Sequence, residues 1–339
     1  MRLDLLIATH KRPGLLRSAL TSIARAARPR AMEVSVTIVN NDLSPLVLEP
    51  EFLAPPYPVR VLQERRRGKS AALNTGVAVS TADYIGLIDD DEEIAADWFQ
   101  VVERALETGK FDFIGGRAVL GPLEQNPAWL PPGYPAVLGS ADGGPHPRPY
   151  GSGFPGVLMG GNAVISRAAL LAAGPYSTAL GPRADRRLFS CEDEDMYWRL
   201  IDAGARGQYL PELVVYHYVH PARLNKSYYR AWCFWNGASK SVLSRRRPRQ
   251  VPQIAGVPRY LYSEAFLGLL GWLRAILRGA PAAQRTAGEL PAWQLAGRIY
   301  GRYLQNDELR GTAIERREHR APKSRREIDG IAITRSCTR

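Results

Sequence analysis

Tyr84-Ile85-Gly86-Leu87-Ile88-Asp89-Asp90-Asp91-Glu92-Glu93-Ile94 passes abruptly from an apolar run into consecutive acids. An apolar run of this length ending in a charge cluster has the pattern of a buried strand emerging at the edge of a sheet. In extended backbone Asp89 and Asp91 project to one side and Asp90 to the other. Adjacent carboxylates repel one another unless a cation or basic side chains compensate them. Two readings are open. Hard oxygen donors at a strand end suit Mg2+ or Mn2+ accompanying a phosphate-bearing substrate. Equally, the acids could cap the N-terminus of a helix over residues 94–106.

Upstream, residues 3–8 form a strand candidate, followed by Thr9-His10-Lys11-Arg12 and by Pro13, which suits the first turn of a helix. Leu15, Leu16, Ala19, Leu20 and Ile23 recur at helical spacing. Residues 34–39 alternate as a second strand that ends on Asn40-Asn41-Asp42, residues 59–62 make a third, and 70–79 a helix. Strands and helices alternating in this way predict right-handed βαβ units and a mostly parallel sheet. Such sheets bind ligands at the carboxyl ends of their strands. Thr9, Arg12, Asp42 and the acid run all fall there. Gly68-Lys69-Ser70 lacks the earlier glycine of a P-loop, since position 63 is Gln63, so an ATPase is not indicated. Arg65 to Lys69 is either a solvated basic loop or a cationic cover for a diphosphate or nucleobase.

Downstream, residues 111–116 form another strand. Residues 121–156 are rich in Pro and Gly with Trp129, Tyr134 and Tyr150 interspersed, a composition for sugar or lipid contact or for packing the loop down. Residues 160–166 read as a strand and 167–173 as a short helix closed by Gly174-Pro175. Cys191-Glu192-Asp193-Glu194-Asp195 is a second acid cluster, leading a helix that runs to Ala203. Residues 214–220 form a strand carrying His217 and His220, whose spacing is not that of a two-histidine metal pair.

At 339 residues, 45% hydrophobic and 23% charged, the chain can bury one large core or two. A formal charge of +12 admits phosphorylated substrates, nucleic acid or anionic lipid as partners. The arginines cluster near loops and ends and no nucleic-acid motif is present, so a nucleic-acid partner is not expected. Cys191, Cys233 and Cys337 are too few and scattered for a disulfide framework or a zinc ribbon. With no signal-peptide pattern at the start, the expected compartment is the cytoplasm.

In order and spacing these blocks resemble family 2 glycosyltransferases of the GT-A fold, over roughly residues 3–240. Thr9-His10-Lys11-Arg12 is similar to the family's opening Thr-x-x-Arg block. Asn40-Asn41-Asp42 is similar to its second-strand acidic end, and Gly68-Lys69 through Asn74, Gly76 and Ala82-Asp83-Tyr84 to the block before its metal motif. Asp89-Asp90-Asp91 stands where the family has Asp-x-Asp. Gly161-Asn162, Glu192-Asp193 and His217 stand where it has an acceptor-side glycine and asparagine, a catalytic Glu-Asp pair and a late metal-side histidine.

The resemblance implies an α/β fold of GT-A type, with a Rossmann-like, mostly parallel sheet flanked by helices. It implies an inverting, metal-dependent transferase taking a nucleotide-diphosphate sugar, with UDP-sugar favoured, to a hydroxyl of a glycan or lipid-linked acceptor. Asp42 and Lys69 would hold the base and Asp89 the ribose, with Thr9, Arg12, Asn74 and Asp90 completing the nucleotide-sugar site. Asp91 and His217 would coordinate Mg2+ or Mn2+, and Arg223 and Lys226 would clamp the diphosphate. Asp193 would take the acceptor proton, with Glu192 as the alternative base. Gly161, Asn162 and Trp129 would line the acceptor site. The run of three aspartates leaves ribose and metal roles open among Asp89, Asp90 and Asp91. The enzyme alternative is a nucleotidyltransferase, and a basic nucleic-acid-binding protein is the alternative from another class.

The expected organisation is a catalytic domain over 1–240, its nucleotide half ending near 110 and its acceptor half spanning 111–240. A helical extension over 241–310 and a charged tail over 311–339 follow. Residues 260–277 are apolar except for Ser263, Glu264 and Arg274, too interrupted for a membrane span. Such a helix is either buried or lies in a membrane surface. The neighbouring Arg245, Arg246, Arg247, Arg249, Arg259, Arg274 and Arg278 suit an anionic membrane and peripheral attachment at its cytoplasmic face.

Overall fold

A computed structural model describes residues 1–303 apart from 50–51, 53–55, 124–126, 183–186 and 249. Arg249 and the expected tail over 311–339 therefore lie outside the described residues. The first half alternates as expected. β1 (Arg2–Thr9) leads to α1 (Pro13–Arg25), then come β2 (Glu33–Asn40), β3 (Val59–Gln63), α2 (Lys69–Val79) and β4 (Tyr84–Ile88). Pro13 opens α1, where its missing N–H costs nothing, and the helix buries Leu16, Ala19, Leu20 and Ile23. β3, β2, β1 and β4 lie side by side, all parallel.

The next segment departs from expectation. Glu92 and Glu93 do not cap a helix. They belong to a short strand, β5 (Glu92–Ile94), and the helix α3 (Trp98–Glu107) starts only after Asp97. β6 (Phe113–Leu120), β7 (Arg148–Pro149), β8 (Asn162–Ser166), α4 (Arg167–Ala173), α5 (Glu192–Asp202) and β9 (Gly207–His217) follow. β9 begins well before the expected position 214 and stops at His217. Pro211 interrupts its pattern in sequence. In the structure Pro211 occupies the stretch between Tyr209 and Val214 where the β6–β9 ladder shifts register. β8 runs antiparallel between β4 and β6, and β5 pairs antiparallel with the end of β9, setting Glu92 opposite His217. β1–β4, β6 and β9 point one way, and β5, β7 and β8 the other.

Alternation along β1 divides the core between two faces. Leu3, Leu5 and Ile7 pack with Leu16 and Leu20 of α1 and Trp98 and Phe99 of α3. Leu6 faces Leu73 of α2, Leu170 of α4 and Met196 and Leu200 of α5. Helices thus cover both faces of the sheet.

α6 (Lys226–Arg246), the β10 (Gln253–Ile254) and β11 (Val257–Pro258) hairpin, α7 (Arg259–Leu277) and α8 (Ala282–Tyr303) complete the described chain. The boundary expected at residue 240 falls inside α6. α8 packs between α6 and α7. Small residues allow close approach: a Cβ on Gly297 would lie 1.8 Å from the Phe234 carbonyl oxygen, and one on Gly288 2.9 Å from that of Gly268.

Candidate active site

The acids of the opening stretch leave β4 at its carboxyl end, and each finds different partners. Asp89 holds Lys69 of α2, with Nζ 2.6 Å from Oδ1 and 2.8 Å from Oδ2. Asp90 accepts from the Thr9 hydroxyl at 2.7 Å and from Arg12 at 3.1 Å. Asp91 accepts from the same Arg12 nitrogen at 3.0 Å and from Arg223 at 3.3 Å, and its Oδ1 lies 3.6 Å from His217 Nε2. The alternation expected of extended backbone does not hold here: the three acids lie past the end of β4, and Asp90 and Asp91 share one Arg12 nitrogen while Asp89 turns to Lys69.

His217 is buried, with Nδ1 unbonded among the described residues. Its imidazole stacks so closely on the chain at Gly139 that a Cβ there would meet the ring at 2.7 Å, and Gly139 has φ +85°. Burial pushes the His217 pKa down, against Asp91, and Arg223 adds to the shift, so the ring is held neutral. The Asp91 carboxylate supplies the hard oxygen that Mg2+ or Mn2+ takes, and the neutral His217 nitrogen beside it can serve as a second donor. Among the described residues no third His, Cys, Asp or Glu completes a metal-binding group, so substrate oxygens and water would fill the remaining positions.

The second acid cluster divides cleanly. Glu194 pairs with Lys240, and Asp195 with Arg199 at 2.9 Å and Arg246 at 3.2 Å, so these two acids tie α5 to itself and to α6. Glu192 and Asp193 face the Lys69 side. Glu192 Oε1 is 4.0 Å from Lys69 Nζ, and burial together with Asp193 pushes its pKa up to about 8. Asp193 Oδ2 accepts the Gly160 N–H at 3.1 Å, while Oδ1 is buried with no partner among the described residues. Burial and Asp89 raise its pKa too. Lys69 stays charged: burial works to lower its pKa, but Asp89, Asp193 and Glu192 raise it well above the ordinary value. α5 is entered through Cys191 at φ +71°, a left-handed conformation rare outside glycine. That turn is held from α6, where Ser239 Oγ accepts the Ser190 N–H at 3.0 Å and Asn236 donates to Ser190 Oγ at 3.2 Å.

Several residues read as binding groups are otherwise engaged. The Asn74 amide bonds both backbone groups of Tyr176, at 2.7 and 2.9 Å, which leaves it a clamp on that segment rather than a nucleotide contact. Asn162 is wholly buried. It accepts from Trp98 Nε1 and donates to the carbonyls of Arg117 and Leu213, satisfying backbone left open where β6 and β9 shift register. It is a structural bridge, not an acceptor contact. Gly161 backs onto Glu92, whose Oε2 a Cβ would meet at 2.1 Å. Lys69 lies on Asp89 and not on Asp42. Asp42 accepts its own loop's Leu43 N–H at 2.8 Å and lies 3.8 Å from Lys11. Trp129 packs edge-on against Tyr229 of α6 at 5.3 Å. Lys226 opens α6 with no ion-pair partner among the described residues.

Sequence reasoning missed Glu92. Its carboxyl is buried on β5, accepts the Asp89 N–H at 3.1 Å and is raised well above the carboxylate range, by burial first and by Asp89 and Asp91 second. Only its pairing with β9, remote in sequence, places it there.

A parallel half-sheet with carboxylates at its carboxyl edge, closed by a mixed half carrying a second acid pair, defines the GT-A glycosyltransferase class. The fold matches that of the mannosyltransferase PcManGT of Pyrobaculum calidifontis, solved with GDP-Man and Mn2+, at a TM-score of 0.55 and 17% identity over 89% of this chain and 87% of that one. Residues 4–171 match the model for glycosyl transferase family 2, and the chain belongs to that family. It is 29% identical to the succinoglycan biosynthesis protein ExoM of Rhizobium meliloti over 38% of this chain and 43% of that protein. Identity to the pre-mycofactocin glycosyltransferase of Mycobacterium tuberculosis is 25% over 65% of this chain and 44% of the relative. The chain thus aligns with about half the length of these relatives, or less.

Proposed function

We propose that the protein transfers a sugar, with inversion, from a nucleotide-diphosphate sugar to a hydroxyl of a growing glycan or lipid-linked acceptor. The observation that carries this reading is the convergence of Asp89, Lys69 and the Glu192–Asp193 pair beside Asp91 and His217. The group that would hold a leaving diphosphate and the group that would activate an acceptor meet along one sheet edge. Asp91 and His217 would hold Mg2+ or Mn2+, which when bound neutralises charge on the leaving diphosphate. Arg12 and Arg223, both already on Asp91, are placed to transfer their guanidinium donors to phosphate oxygens. Asp42 and the Asn40–Asn41 turn remain the base-side end of the site.

Burial raises the pKa of both candidate bases, and they differ in how their oxygens are held. Glu192, at about 8, holds its proton at neutral pH. Asp193 keeps one oxygen fixed by Gly160 and one unpartnered, as a group that accepts an acceptor proton should. Asp193 is therefore the base in this reading and Glu192 a neutral neighbour. The bond from the anomeric carbon to the diphosphate breaks as the acceptor oxygen attacks, and Asp193 takes that oxygen's proton.

Family membership and the names of the relatives favour sugar transfer over nucleotidyl transfer. ExoM's name places it in polysaccharide biosynthesis, and PcManGT holds a nucleotide sugar with Mn2+. The deciding measurement supplies a panel of nucleotide sugars with Mg2+ or Mn2+ and identifies the product. Released nucleoside diphosphate is expected; released pyrophosphate from a nucleoside triphosphate and a sugar phosphate would overturn the reading.

A further inference from the structure

α7 is amphipathic in the wrong sense for a helix bathed in water. Leu261, Ala265 and Ala275 turn inward, and Gly268 meets Gly288 of α8, so the buried stripe is made largely of small residues. The large apolar side chains turn outward. Phe266 is 63% exposed, Leu267 65% and Leu277 78%, with Leu269, Leu273 and Ile276 also exposed. At helical spacing Phe266, Leu273 and Leu277 share the side opposite the α8 contact. A contiguous apolar face of this kind marks an interaction surface. Arg259 stands at the start of the helix and Arg274 and Arg278 at its end, all exposed and without an ion-pair partner among the described residues. Glu264 is the only acid on the helix.

We propose that α7 seats the protein on an anionic lipid surface, with Phe266, Leu273 and Leu277 entering the acyl boundary and Arg259, Arg274 and Arg278 meeting headgroup phosphates. The arginines choose the occupant. A second copy packing face to face through a two-fold axis would bring these unpaired arginines near arginines of the other copy, whereas phosphates at the rim neutralise them. No described helix is long and apolar enough to cross a membrane, and α7 at 19 residues is about 28 Å long. It would lie along the surface with its α8 side held by the protein.

The test uses the full chain and vesicles, with no donor or acceptor, so its outcome is separate from that of the transferase reading. Co-sedimentation is measured on phosphatidylcholine vesicles and on vesicles carrying phosphatidylglycerol. The wild type is expected to bind the anionic vesicles about tenfold more tightly than the neutral ones, a gap that shrinks with added salt. Phe266→Glu/Leu273→Glu/Leu277→Glu should weaken anionic binding by about tenfold or more, and Arg274→Gln/Arg278→Gln should close most of the gap between the two vesicle types. Leu273→Asn/Leu277→Asn gives a milder second variant, and an unchanged thermal melt confirms that each still folds. Wild-type binding by the triple variant, or no binding by the wild type, overturns the proposal. So does a lipid-free wild-type dimer that the triple variant converts to monomer, which would assign the face to a second copy.

Discussion

Arg223 joins Asp91 to His217: one guanidinium nitrogen lies 3.3 Å from Asp91 Oδ2 and the other 3.4 Å from His217 Nε2. The cation neutralises the pair that would take the metal, and a diphosphate offers it an equivalent anionic partner. Asp91→Asn is expected to cut metal-stimulated transfer by at least about 100-fold, with a melting temperature close to wild type in the absence of metal. An enzyme that kept normal stimulation by Mn2+ would remove Asp91 from the metal site.

Asp193 offers the sharper mechanistic test. Substitution by Asn keeps the shape and the Gly160 contact but removes the proton acceptor. Loss of kcat by about 10²–10⁴-fold is expected, while calorimetric binding of the donor nucleotide stays near wild type. Lost donor affinity with an unchanged kcat would contradict the assignment.

Glu192 gives a pH signature in the ligand-free protein. Its pKa rises from an ordinary 4.5 to about 8 on folding, through burial and Asp193, with Lys69 opposing and Asp89 adding to the rise. Between about 4.5 and 8 the unfolded chain ionises this carboxyl and the folded chain does not. Its contribution to stability is therefore full at acid pH and is lost as pH rises across that window. Denaturant melts should show Glu192→Gln losing less stability than wild type between about pH 6 and pH 8. Parallel curves would show that Glu192 does not titrate in this range.

Asn162 separates structure from binding. Asn162→Ala strands the Trp98 N–H and two backbone carbonyls in the interior, at about 1–3 kcal/mol for each group left unsatisfied. A lowered melting temperature is expected, with KM for acceptor nearly unchanged in the folded fraction. Unaltered stability with a raised acceptor KM would restore Asn162 to the acceptor site.

The nucleotide half was legible because parallel buried strands announce themselves as apolar runs, and polar residues at their carboxyl ends fall where such sheets bind ligands. Thr9, Arg12, Asp42 and Asp89 to Asp91 were visible for that reason, whereas Lys69 and Glu192–Asp193 stood out only as charged residues at helix starts. β5 was not legible, since Glu92-Glu93-Ile94 carries no strand signal and its partner is the distant end of β9. Asn74 and Asn162 misled for a related reason. A side-chain amide looks the same in sequence whether it serves a ligand or backbone that only the fold brings near. At Glu194 and Asp195 the signal existed in Lys240 and Arg246, but nothing local linked α5 to α6.

That link limits how the molecule can be cut or recombined. Glu194 and Asp195 are buried, and Lys240 and Arg246 reach them from beyond the 4–171 span that matches the family. A chimera that joined this catalytic half to another member's C-terminal helices would take Lys240 from the interior Glu194 and leave Asp195 with Arg199 but not Arg246, unless it carried Lys240 and Arg246 across. In protein engineering, residues 226–246 travel with the acid pair as one unit, and the natural place for a graft lies after Arg246.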